Sequence, residues 1–144
     1  ERDVNEIHNG PSNGVRSILE DKDGNFWFNS SYKYLAKDSI PTQGNSFYTR
    51  LESIGSLDGK INGVLDEYLS ITKDDDNNLW FATYMHGVYK YDGSKISHYA
   101  IRENDKNITL FYIYKDRHGD IWLGTHQNGL WKFNGNEFKR FSIS

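Results

Sequence analysis

The chain has 144 residues, 17 basic against 20 acidic side chains and a net charge of -3, a balance that argues against nucleic-acid binding through bulk positive charge. It has no cysteine, which excludes disulfides, thiolate metal sites and cysteine nucleophiles, and no apolar run long enough for a transmembrane helix. Aromatic residues reach 15%, with 13 Gly and 2 Pro, a composition of strands and turns.

The chain starts at Glu1 without a signal-like apolar segment, as expected of a processed form of a longer product. After an unassigned arm, Glu1 to Gly10, a first unit spans about residues 11–51. Val15-Arg16-Ser17-Ile18-Leu19 reads as a strand. The turn residues Asp21-Lys22-Asp23-Gly24-Asn25 follow and lead into Phe26-Trp27-Phe28, a second strand. Beyond Phe28 the unit is irregular: a third strand falls within 30–37 and a fourth at 46–51. A connection with Gly55, Gly59 and Gly63 leads onward.

The second unit, about 64–100, starts with the strand Tyr68-Leu69-Ser70-Ile71-Thr72. Its turn, Asp74-Asp75-Asp76-Asn77-Asn78, leads into Leu79-Trp80-Phe81. A loop closing on Gly87 gives way to Val88-Tyr89-Lys90-Tyr91, the turn Asp92-Gly93 and a fourth strand at Lys95 to Tyr99. The third unit, about 106–144, repeats this in step: Leu110 to Tyr114, the turn Asp116-Arg117-His118-Gly119-Asp120, Ile121-Trp122-Leu123, Gly129 to Phe133, Asn134-Gly135 and Glu137 to Phe141. Trp27, Trp80 and Trp122 are separated by 53 and 42 residues. A fixed period near 40 with four short strands per unit is the signature of a β-propeller blade. The fold class is therefore all-β, three four-stranded antiparallel blades in one domain.

One blade cannot bury its own faces, so the repeated indoles are expected to fill the space between successive sheets. The leading carboxylates Asp21, Asp74 and Asp116 are expected to accept backbone N–H bonds inside their turns. A calcium reading fails: counted as an EF-hand loop from Asp74, position 6 is Leu79 and position 12 is Met85, where glycine and glutamate are required. No metal or cofactor is expected.

The motif "Ile, x, x, Asp, x, x, Gly-Asn, x, Trp" over Ile18 to Trp27 and "Gly-Leu, aromatic, Lys, aromatic" over Gly129 to Phe133 resemble the two-component regulator propeller repeat. The pattern is also similar to the repeat of streptogramin lyases. The resemblance implies a periplasmic or extracellular sensor part of a bacterial regulator. It also implies a ligand face formed by the loops between the second and third strands and by the connections between blades. That face would carry Ser30, Ser31 and Tyr32; Tyr84, Met85 and His86; His126, Gln127 and Asn128; and the connection 104–107. Aromatic rings, amides and imidazoles suit a glycan or another small molecule. Trp131, outside the repeated tryptophan set, is a further stacking candidate.

Two other functions compete with this binding or sensor module: a lyase-like enzyme using His86 and His126, and a scaffold that binds no small molecule. Three blades fall short of the usual four to eight. Either two chains associate into a six-bladed ring, or the chain belongs to a longer propeller.

Overall fold

The computed structural model describes residues 17–24, 26–28, 32–36, 48–53 and 68–142. Its elements are strands, and among the described residues no helix is long and apolar enough to cross a membrane. The first sheet orders β1 (Ile18–Glu20), β2 (Phe26–Phe28), β3 (Tyr32–Ala36) and β4 (Tyr48–Ser53). A second sheet holds β5 (Ser70–Lys73), β6 (Leu79–Ala82), β7 (Val88–Tyr91) and β8 (Ile96–Tyr99). The third is built from β11 (Leu110–Lys115), β12 (Ile121–Thr125), β13 (Leu130–Phe133) and β14 (Phe138–Arg140). All neighbours pair antiparallel, in sequence order, and each sheet is a blade. Between the second and third blades, where the sequence suggests only a connection, β9 (Arg102–Glu103) and β10 (Lys106–Asn107) form a small hairpin. Asn104 and Asp105 turn it with φ of 52° and 62°, a conformation these two residue types tolerate.

The Asp turns follow one design. Gly24, Asn77 and Gly119 occupy the same turn position with φ of 81°, 65° and 88°. Glycine adopts this left-handed conformation without cost, and asparagine and aspartate with a small penalty. That explains why Asn77 can stand where the other two units have glycine.

Trp27 and Trp80 each pack on the next blade. Trp27, 1% exposed, sits against Phe81 and Tyr91 of the second blade, with ring centroids 5.7 and 6.0 Å away. Trp80, 2% exposed, sits against Phe133 and Phe138 of the third, at 4.9 and 6.0 Å. The two hydrophobic clusters are therefore the two spaces between sheets. Leu79, Phe81 and Tyr89 join Trp27 in one; Ile113, Ile121 and Leu123 join Trp80 in the other. Burying one indole removes roughly 200 Å² from water, worth up to about 5 kcal/mol.

The first strands also cross-link. Ser70 Oγ accepts the Ile113 N–H at 3.0 Å, bonding β5 to β11. The salt bridge Lys115–Asp75, 2.7 Å, joins the Asp-turn ends of the second and third blades.

Strand register identifies a shared feature of all three blades. Trp27 faces Lys33, Trp80 faces Lys90 and Trp122 faces Lys132 across the β2–β3, β6–β7 and β12–β13 pairs. The first blade makes this crossing in six residues, the other two in ten. The stretch from the tryptophan to its paired lysine is thus four residues shorter in the first blade. Tyr32, expected in the loop between second and third strands, instead starts β3, at the register position of the strand residues Tyr89 and Trp131. Ser30, Ser31, the arm 1–10 and the glycines 55, 59 and 63 lie outside the described residues.

Candidate functional site

The site is built on two copies of one five-residue loop motif, Thr83 to Gly87 and Thr125 to Gly129. In the second blade the Thr83 hydroxyl donates to the Gly87 carbonyl at 2.7 Å and accepts the His86 N–H at 2.9 Å. In the third, Thr125 donates to the Gly129 carbonyl at 2.6 Å and accepts the Asn128 N–H at 2.9 Å. The threonine closes the loop onto itself; Tyr84, Met85 and His86 are exposed in one loop and His126 and Gln127 in the other, while Asn128 is partly buried. Glycine is required at the far end: a Cβ on Gly87 would collide with the Tyr99 carbonyl oxygen, and its φ is +81°.

A backbone clamp brings the two loops together. The Leu110 N–H donates to the Tyr84 carbonyl at 2.9 Å, and the His126 N–H donates to the Thr109 carbonyl at 2.9 Å. Thr109 and Leu110 are adjacent, about 3.8 Å apart along the chain. The loops therefore flank one dipeptide and share a face. Tyr84 and Met85 are 55% and 42% exposed on it, and His86, His126 and Gln127 are exposed as well.

Phe111 completes this surface. It is 50% exposed, and its ring lies 5.0 Å from that of His126. Phe111 and Tyr112 also line a groove of about 530 Å³ with Ser17, Ile18, Leu69 and Ser70, along the first strands of all three blades. The loop face and this groove are continuous at Phe111.

Several candidates serve the fold. The Asn128 amide donates to Glu103 at 2.7 Å, and Arg140 holds the other Glu103 oxygen at 2.7 Å. These bonds keep the Glu103 carboxyl below its ordinary range, that from Asn128 foremost, and pin the β9–β10 hairpin to the third blade. Trp131 is 8% exposed and its indole donates to the Asn128 carbonyl at 2.9 Å. His98, stacked on Tyr89 with centroids 4.4 Å apart, has Nε2 2.6 Å from the His86 carbonyl oxygen. It buttresses the loop from behind.

At the opposite end, the Asp turns do more than the sequence suggests. Oδ1 of Asp74 accepts the backbone N–H groups of Asp76 and Asn78 at 3.0 and 2.9 Å, the Asx-type bonding expected of it. Its Oδ2 accepts the Trp80 indole N–H at 2.8 Å. Asp21 and Asp116 hold Trp27 and Trp122 in the same way, at 3.1 and 2.9 Å. The six-residue spacing from aspartate to tryptophan is one device: the carboxylate organises the turn and satisfies the buried indole. Burial would raise the Asp74 pKa, but the bonds from Trp80, Asn78 and Asp76 lower it below the usual carboxylate value. At Asp116 the Trp122 bond is the leading cause of a similar lowering.

Phe111, Tyr112, Thr83 and Thr125 are not apparent as site residues from the sequence alone. The threonines had a signal, since both stand four residues before the repeated glycine and 42 residues apart.

A model of the family described as "Two component regulator propeller" matches residues 9–32, 63–85 and 102–127, half of the chain. No curated protein sequence matches it. Among solved structures, the chain is similar to a catalytically inactive virginiamycin B lyase from Staphylococcus aureus with quinupristin. The TM-score is 0.63 at 17% identity, over 93% of this chain and 43% of the lyase. The extracellular domain of a hybrid two component system from B. thetaiotaomicron is 26% identical with a TM-score of 0.54, over 83% of this chain and 14% of that one. A one component system domain from the same organism gives 0.57 at 22% identity, over 92% and 18%. The chain thus spans less than half the length of each of these proteins.

Proposed function

The chain belongs to the two component regulator propeller family, and from that premise we propose that it is a recognition segment of an extracytoplasmic sensor, binding a small molecule or glycan on its loop face. The observation that carries this reading is the backbone clamp. Two self-closed loops, fixed to Thr109 and Leu110, hold Tyr84, Met85, His126 and Gln127 outward beside Phe111. The loops are ordered before any ligand arrives, so binding need not order them. Exposed rings give flat apolar platforms, and the Gln127 amide and the imidazoles supply donors and acceptors at the rim, which suits a ligand with an apolar face and hydroxyl groups. The extracellular setting of the 26%-identical relative supports the same compartment here.

A thermal-shift screen of the chain against mono- and oligosaccharides and other small metabolites tests the reading. A ligand at 100 times its Kd stabilises the folded state by about 2.7 kcal/mol. The expected result is a rise in Tm with one ligand class, abolished in Tyr84→Ala and His126→Ala. If no class raises the Tm, or if the rise survives both substitutions, the propeller is a scaffold at this face and the reading fails.

A further inference from the structure

The two loops of the recognition face are held in different ways. In the second blade His98 supports the loop directly, with its Nε2 2.6 Å from the His86 carbonyl oxygen. Arg140 stands 42 positions after His98 and holds the same register, paired with Trp131 as His98 is with Tyr89. In the third blade, however, the Asn128 carbonyl accepts the Trp131 indole N–H at 2.9 Å, which leaves Arg140 to reach elsewhere. Its guanidinium lies over Gly129, the residue that closes the loop: a Cβ there would come within 3.4 Å of Nε. It donates to Glu103 Oε1 at 2.7 Å, and Glu103 Oε2 accepts the Asn128 side-chain amide at 2.7 Å.

Glu103 has a footing of its own. It belongs to the β9–β10 hairpin, whose flanking residues Ile101 and Ile108 are each 3% exposed in the core around Trp80. The Ile108 N–H donates to the Ile101 carbonyl at 3.0 Å and closes the hairpin at its base. The hairpin is therefore anchored without Glu103, and the carboxylate that projects from it reaches the loop. The same connection continues to Thr109, whose carbonyl accepts the His126 N–H. One segment thus grips the third-blade loop at two points, the backbone of His126 and the side chain of Asn128, with Gln127 between them. The second-blade loop shares the backbone grip, from Leu110 to the Tyr84 carbonyl, but its third residue, His86, is held by His98 of its own blade.

We propose that Glu103 is a positioning residue of the recognition face: its carboxylate, aimed by Arg140, fixes Asn128 and with it the direction in which His126 and Gln127 are presented. The charges on Glu103 and Arg140 make these bonds stronger than neutral ones. The proposal rests on the loop face being the site, and its test uses no ligand, so that the two can fail separately.

Backbone nitrogen-15 relaxation of the full labelled chain tests it. In the wild type, residues 84–86 and 126–128 should both show order parameters near about 0.85, as rigid backbone does. Glu103→Ala should bring 126–128 below about 0.6 and leave 84–86 and the hairpin base, Ile101 and Ile108, unchanged. Glu103→Gln keeps an oxygen that can accept the Asn128 amide and should restore most of the lost order. Asn128→Ala should reproduce the loss and make a further Glu103→Ala substitution silent. Glu103 is only partly buried, so these variants should stay folded, which near-UV circular dichroism checks. A 126–128 loop that stays ordered in Glu103→Ala overturns the proposal. So does a loss of order that spreads equally to 84–86 and the hairpin base, the mark of a general structural role, and so does the absence of rescue by Glu103→Gln.

Discussion

In the second and third blades the two ends obey different rules. At the Asp-turn end the second and third blades are nearly interchangeable: Asp74 and Asp116 make the same two backbone bonds and the same indole bond. At the loop end the frame is equally constant, through Thr83 with Gly87 and Thr125 with Gly129. The residues held in that frame differ completely, Tyr84-Met85-His86 in one blade and His126-Gln127-Asn128 in the other. Repetition marks what the blade needs in order to fold. Variation on a rigid frame marks what a particular blade can recognise.

The largest expected effect is at the repeated core. Trp80→Ala removes the ring that fills the space between the second and third blades, and should cost about 3–5 kcal/mol, read as a fall in the denaturant midpoint. Asp74→Ala should cost less, about 1–3 kcal/mol, because it leaves the buried Trp80 indole N–H without its acceptor. If Asp74→Ala were neutral, the turn would be an ordinary hairpin and the two ends would not differ in kind.

Acid should expose the same asymmetry. The Asp74 and Asp116 carboxyls lie below their ordinary value of 3.8 in the folded chain. Their stabilising effect is fully present above that value, where folded and unfolded chains are both ionised. It is lost as the pH falls through the lower, folded pKa. The Tm should therefore hold from pH 7 to about 5 and drop below pH 4. Asp116→Asn should flatten that drop, and an unchanged acid limb would exclude the Asp–Trp device as its source.

Much of this architecture is legible in the sequence because folding constraints recur. Trp27, Trp80 and Trp122 share one turn pattern, and Gly87 and Gly129 share one offset, so each unit checks the others. The first blade shows where such reading stops. Its shortened crossing from Trp27 to Lys33 places Tyr32 in the strand and not in the loop, a shift visible only once those two residues are paired. The β9–β10 hairpin leaves no mark in the sequence because two-residue strands carry no periodicity. The site is less legible still. Phe111 reads as one aromatic in a strand of aromatics; its role depends on the backbone bonds that bring Tyr84 and His126 to either side of Thr109 and Leu110. Pairing at that distance leaves no local pattern.

The frame beneath the variable residues gives a smaller effect. Thr83→Val removes a hydroxyl that both donates and accepts, at a residue 1% exposed, and should cost about 1–2 kcal/mol. Thr125→Val should cost less, since Thr125 is only partly buried and water can replace its bonds.

The smallest effect on stability should come from the residues that matter most for recognition. Tyr84 is more than half exposed and Gln127 is exposed, so Tyr84→Ala and Gln127→Ala should each change stability by no more than about 0.5 kcal/mol. If the loop face binds, these near-silent substitutions weaken binding without moving the Tm of the free chain, whereas Thr83→Val lowers both by loosening the loop. Tyr84→Ala and Thr83→Val measured side by side, by calorimetric titration and thermal melt, separate a contact from its support. A Tyr84→Ala variant as destabilised as Thr83→Val would make Tyr84 part of the frame and erase the distinction between the residues that repeat and those that vary.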